Sequence, residues 1–256
     1  MIDKAIIPAA DAASADVAVA VLEGYDRSDF SFPRIRLLQP VSAEVARGDV
    51  AAGRFYHSLY GDLGPEVDVV PLAARKTRAR FFERALRCVS PDFLTGRGDP
   101  GGDCASCVLK DWGPDGTPPA CSVTYNFIVL PVSGPAAEFP LPAVIQFMRS
   151  GAKTARKLNS VLALVRPPWK AVLRLRTARQ ENDRGVFYIC TFAIASSTDQ
   201  SEWPRFAELA RLVTGALAAR PDAIEHTAED LFDDAEEAGA AGGGAGAAAS
   251  SEPLNF

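Results

Sequence analysis

The chain is 256 residues long and 48% apolar, with a formal net charge of −5. It carries apolar material for one large domain or two small ones, and no run approaches the ~20 apolar residues of a membrane span. The charge is divided: residues 1–32 hold six acids and two bases, residues 222–256 nine acids and no Lys or Arg, and residues 33–221 carry 25 bases against 17 acids. A body at +8 attracts polyanions, and an acidic tail competes for the same surface.

Residues 1–32 mix Ala, Asp and Ser and read as an N-terminal arm. Asp3, Asp11 and Asp16 interrupt the stretch that a secretory signal would leave uncharged, so a cytoplasmic chain is expected. "FPRIRLLQP" alternates Ile35 and Leu37 with Arg34 and Arg36, the pattern of a half-buried strand. "GRFYHSLYG" (53–61) predicts a further short strand or turn pair. "EVDVVPLAARKTRARFFERAL" starts as a strand, with an edge or a bulge at Pro71. It continues with Arg75, Lys76, Arg78, Arg80 and Arg84 around Phe81 and Phe82. In an extended chain Lys76, Arg78 and Arg80 share one face.

Cys88 is followed by Cys104, Cys107 and Cys121 in a stretch rich in Gly, Pro and Asp. "SVTYNFIVLPV" (122–132) and "LPAVIQFM" (141–148) are strands. "SGAKTARKLNSVLALV" predicts a helix capped by Ser150 and ended by Pro167 and Pro168, with Lys153, Arg156 and Lys157 on its first turns. A hairpin follows, "WKAVLRLRTA" and "GVFYICTFAIA" joined by "RQENDRG". Arg174 and Arg176 lie on the face opposite Leu173 and Leu175, Tyr188 is on the partner strand, and Cys190 reads as a core cysteine. A helix is expected over 199–219. The acidic, Gly/Ala-rich segment 222–256 buries too little apolar surface to fold and is expected to be disordered.

The fold class expected is mainly β with flanking helices: an OB-like antiparallel barrel over 33–221, with a zinc-binding loop, 88–121, inserted between strands. The CxxC pair at Cys104 and Cys107 forms a knuckle, and Cys88 and Cys121 complete a tetrahedral thiolate set for Zn²⁺ in a closed structural site. A redox pair is the weaker alternative, because such a CxxC opens a helix after a strand, whereas this one follows "DPGGD". Cations that track phosphates and rings that stack on bases are the two needs of a single-stranded nucleic-acid binder. Lys76, Arg78, Arg80, Phe82, Lys153, Arg156, Lys157, Arg174, Arg176 and Tyr188 are the candidate contacts. Against this, arginines on strand faces also serve as solvated residues that block aggregation, and strand aromatics fill cores.

Cys88, Cys104, Cys107 and Cys121, the basic strands, the acidic run 229–237 and the terminal "PLNF" together resemble the phage-encoded single-stranded DNA-binding proteins. The resemblance implies an OB-fold core, a zinc-binding insertion and a tail that covers the DNA groove. It further implies action in replication or recombination in the host cytoplasm, with partner proteins taken through the tail by Phe256. In this chain a Gly/Ala linker separates the acidic run from Phe256. The competing function is a zinc-stapled structural or protein-interaction protein. An enzyme is not expected: no GxSxG, HExxH or GxxxxGK[ST] occurs, and His57 and His226 read as incidental.

Overall fold

The computed structural model describes residues 31–220 except 84 and 184, together with 222–224 and 226. The strands are β1 (Arg34–Leu37), β2 (Phe55–His57), β3 (Gly61–Gly64), β4 (Glu66–Phe82), β5 (Ala85–Ser90), β6 (Thr95–Gly98), β7 (Gly102–Asp103), β8 (Cys121–Pro131), β9 (Ala143–Phe147), β10 (Ala171–Asn182) and β11 (Gly185–Ser197). The helices are α1 (Ala43–Ala46), α2 (Ala152–Leu164) and α3 (Trp203–Ala219).

The strands join in the order β3-β2-β1-β9-β8-β4-β5-β6-β7, while β10 pairs with β4 and with β11. The molecule is mainly β, as expected, but two features of the barrel are corrected. The sheet is mixed, because β1 and β9 run parallel. It also stays open, because no strand ladder joins β11 to β1 or β9. The Gln39 side-chain amide spans that gap, donating to the Tyr188 carbonyl at 2.9 Å and accepting from the Tyr188 N–H at 2.8 Å.

The sheet buries both faces. One layer packs Val67, Val69, Phe127, Val129, Phe147, Leu173 and Leu175 against Ala155 and Leu158 of α2. The other packs Val70, Leu72, Ile128, Leu130 and Val144 against Phe206, Ala210, Val213 and Leu217 of α3. The long strand β4 contributes to both. Its register against β8 slips between Pro71 and Ala73. Of the edge or the bulge expected at Pro71 this is the bulge, and it reverses the inward and outward alternation downstream. Thr77 and Ala79 are therefore buried on the α3 side, and Lys76, Arg78 and Arg80 fall on the α2 side.

A polar chain crosses the α3 side. Arg34 donates to Gln146 at 2.6 Å, Gln146 to Asn126 at 2.7 Å, and Asn126 to the Thr77 hydroxyl at 2.9 Å. His226 Nε2 lies 3.1 Å from the same hydroxyl, and Ala223 and Ile224 are buried beside it. The packed body thus reaches a few residues past 221. The arm up to residue 30 and the remainder of the tail lie outside the described residues.

Local expectations are corrected at three places. The α2 N-cap is Gly151, not Ser150, and makes no side-chain cap. The "RQEN" of the expected hairpin loop is strand, since β10 and β11 pair out to Asn182 and Gly185. The cysteine segment forms its own small ribbon, with β5, β6 and β7 paired antiparallel in sequence.

Burial holds His226 well below its ordinary 6.5, at about 4, with the Arg34 charge adding to the effect. Neutral His226 is thus the folded form, and protons bind the unfolded chain preferentially between these values. Stability should be fully present above pH 6.5 and fall by roughly 2–3 kcal/mol through this histidine as pH drops toward 4. Urea unfolding across that window should show a shallower slope for His226→Gln than for the parent. Equal slopes would remove the buried histidine as the cause.

Candidate functional site

The cysteine ribbon is positioned by β4. Arg80 pairs in register with Cys88 on β5 and with Cys121 on β8, so these three residues form one row across the sheet. Aspartates set the turns beyond it. Asp92 accepts from Leu94 N at 2.9 Å and Thr95 N at 2.8 Å. Asp103 accepts from Ala105 N at 3.1 Å, Ser106 N at 3.0 Å and Ser106 Oγ at 2.7 Å, which folds the CxxC segment back. Side-chain acceptors of this kind explain why a segment poor in apolar residues holds a shape.

All four cysteines line one cavity of about 20 Å³, with Arg78, Arg80, Leu109 and Lys110. Four thiols facing a common space are the donor set of a structural zinc site. Arg80 stands in the row between two of them and instead reaches Asp99, at 3.0 Å to the carbonyl and 3.3 Å to the carboxylate. Among the described residues, no group of three or more His, Cys, Asp or Glu side chains is already arranged to hold an ion. Burial raises the Cys121 thiol above its ordinary range against the pull of Arg78, and Cys88 and Cys104 push it further. Cys190 is buried in the core layer and pushed up to about 12, as a structural thiol should be.

Beside this cavity opens a cleft of about 580 Å³. Its floor is the sheet at Arg78, Phe81 and Tyr125. One wall is the cysteine ribbon with Lys110, Trp112 and Pro118, and the other is Arg149 and Arg156 at the start of α2. Lys76 Nζ stands 4.1 Å from the Phe93 ring centroid and 5.7 Å from that of Tyr125, and the Arg78 guanidinium 4.4 Å from Phe93. Burial lowers the Lys76 pKa, and the charges of Arg78 and Arg156 lower it further. Among the described residues, Lys76, Arg78, Arg149 and Arg156 form no ion pair with a carboxylate. Phe93 and Arg149 hold φ of +68° and +42°, strained values for side chains with a Cβ and common where structure serves a site.

The expected contact residues divide. Arg78 and Arg156 line the cleft and Lys76 stands beside it against Phe93 and Tyr125, whereas Arg80 lines the cysteine cavity. Lys153 and Lys157 are exposed on α2 and do not line it. Phe82 is 53% exposed outside the cleft, near Arg87. A register shift between Arg80 and Phe81 ends the alternation and puts Phe81 inside instead.

Arg174 is held by Asp68 at 2.7 and 2.9 Å, and Arg176 by Glu66 at 3.1 Å. Both pair with the other end of β4, roughly 25 to 33 Å along the strand from Lys76 at about 3.3 Å per residue. Tyr188 packs its ring on the Gly53 backbone, on a separate groove with Arg34 and Arg36. Phe256 lies outside the described residues. The sequence reading passed over Phe93 and Arg149, which no periodicity marks. Trp112 is 67% exposed and faces the cleft.

A protein-family model described as "Pam3 phage gp34-like protein" matches residues 3–216. No curated protein and no solved structure matches the chain.

Gly98 supports the ribbon through its backbone. Its φ is +107°, and an added Cβ would collide with the Arg87 carbonyl oxygen. Gly98→Ala should therefore destabilise by at least about 2 kcal/mol, whereas Gly116→Ala, at φ +81° in open space, should cost about 1 kcal/mol. Paired urea titrations read the difference, and equal effects would contradict the tight packing at Gly98.

Proposed function

The chain belongs to the Pam3 phage gp34-like family, and from that premise we propose that it is a phage single-stranded DNA-binding protein acting in replication or recombination. The observation that carries this reading is the cleft where Arg78, Arg149 and Arg156 stand among Phe81, Tyr125 and Trp112, with Lys76 beside it near the Tyr125 ring, all four cations without carboxylate partners among the described residues. Phosphates would follow the cations, and unpaired bases would stack on the rings.

Strand order lends support for an OB-like core. β4, β8 and β9 form a meander, α2 follows, and β10 returns to β4 with β11 as its hairpin partner. An OB-fold has that order, with binding on strands 2 and 3 and on the loops after strands 1 and 4. Here the loop after the first of these strands is the cysteine ribbon, and β1 occupies the place beside β9. We read the four cysteines as holding one Zn²⁺ that stiffens this wall, with Arg78 and Arg80 offsetting its thiolate charge. Four thiolates leave no open coordination position, so the role is binding and not catalysis. The acidic tail would compete with DNA for the cleft, and Phe256 would offer a contact to replication or recombination proteins in the host cytoplasm. Among the described residues no helix is long and apolar enough to cross a membrane.

A second reading, a zinc-stapled structural or interaction protein, draws on one observation. The ribbon exposes Leu94, Val108 and Trp112 at 68%, 80% and 67%, more apolar surface than a solvated wall needs.

Fluorescence titration with oligo-dT at several salt concentrations separates the two. Tight, salt-sensitive binding is expected, and the Lys76→Ala/Arg78→Ala/Arg156→Ala variant should lower the salt slope by about 2. Arg176→Ala should leave the slope unchanged. Trp112→Ala should weaken binding about 5- to 150-fold. No binding at low salt would remove the proposal and favour the second reading.

Metal analysis should find one zinc per chain, reduced in Cys104→Ser. A metal-free chain with an intact ribbon would remove the zinc assignment alone. Removal of residues 227–256 should tighten DNA binding, and unchanged affinity would dismiss the tail as a competitor.

A further inference from the structure

On the opposite side of the sheet a second groove, of about 420 Å³, runs along the outer face of α3. Leu212, Gly215, Ala216 and Ala219 form its floor, and Ser31 and Phe32 form one end. The inner face of α3 is already committed to the core through Phe206, Ala210, Val213 and Leu217. Gly215 is the informative residue. Glycine inside a helix costs about 1 kcal/mol relative to alanine, yet a Cβ at Gly215 would meet nothing within 4 Å. The described body therefore gives no reason for a glycine there, whereas a chain passing close against the helix would.

We propose that the groove is occupied by the chain's own N-terminal arm, through the apolar run Val17–Leu22. The arm enters the body at Ser31 and Phe32, inside the groove. The nine residues from Leu22 to Ser31 span up to ~30 Å, enough to lay the run along α3. Asp16 and Glu23 bound the run in the sequence, so its apolar side chains are the part that the floor of Leu212, Ala216 and Ala219 can take.

Hydrogen exchange read by mass spectrometry on the full chain tests this. Amides of residues 17–22 should exchange at least about tenfold more slowly than an unstructured segment, equally at low and high protein concentration. Gly215→Trp, which fills the groove from an open position, should abolish that protection and leave β4 unchanged. Should that variant misfold, Leu212→Lys serves the same purpose.

Unprotected 17–22 in the parent, or protection indifferent to Gly215→Trp, overturns the proposal. Protection that grows with concentration assigns the groove to another copy's arm and also overturns it, as does groove-dependent protection of 231–232 or 254–256 in place of the arm. The DNA cleft lies on the other side of the sheet, so oligo-dT affinity reports on the proposed function separately.

Discussion

One extra residue in β4, at the Pro71 bulge, decides where the positive charge of this molecule goes. Upstream, Val67 and Val69 belong to the α2 layer and Val70 and Leu72 to the α3 layer. Unbroken alternation would have placed Lys76, Arg78 and Arg80 under α3 and exposed Thr77 on the cleft side. With the slip, Thr77 joins the buried polar chain to Asn126 and His226, and the three cations face α2 and Arg156. The core layers and the cleft are two consequences of the same register.

Charge pairing then separates structural arginines from available ones. Arg54 with Asp62, Arg174 with Asp68, Arg205 with Glu202 and Arg211 with Glu208 all have partners. Each such surface pair contributes ~0–1 kcal/mol to stability, but each also cancels the local potential that a polyanion would sense. At the cleft the like charges are left together. Burial, and beyond it the charges of Arg78 and Arg156, lower the pKa of Lys76, and the Phe93 ring, with the Lys76 and Arg78 cations at about 4 Å, partly offsets the repulsion.

Much of the frame was legible. The strands from Arg34, Glu66, Cys121, Ala143 and Ala171 follow from alternation, the bulge from Pro71, and the grouping of Lys76, Arg78 and Arg80 from a period of two. What failed did so for nonlocal reasons. Arg174 and Arg176 look as free as Lys76 in sequence, because nothing local says that Asp68 and Glu66, more than 100 residues away, lie opposite them. Tyr188 looks like a stacking ring until Gly53 is found beneath it. Phe82 lost its place to Phe81 through a shift set by the partner strand β5. Arg149 reaches the cleft, and Phe93 the cations Lys76 and Arg78, through left-handed backbone at turns, where no periodic pattern applies.

The central claim is that nucleic acid lies between the cysteine ribbon and α2. Photocrosslinking of a halogenated single-stranded oligonucleotide, followed by peptide mapping, locates the contact directly. The account predicts adducts on peptides holding Phe93, Trp112 and Tyr125, with β10 and β11 unlabelled. Adducts concentrated around Arg174, Arg176 and Tyr188, or none at any of these positions despite measurable binding, would contradict it.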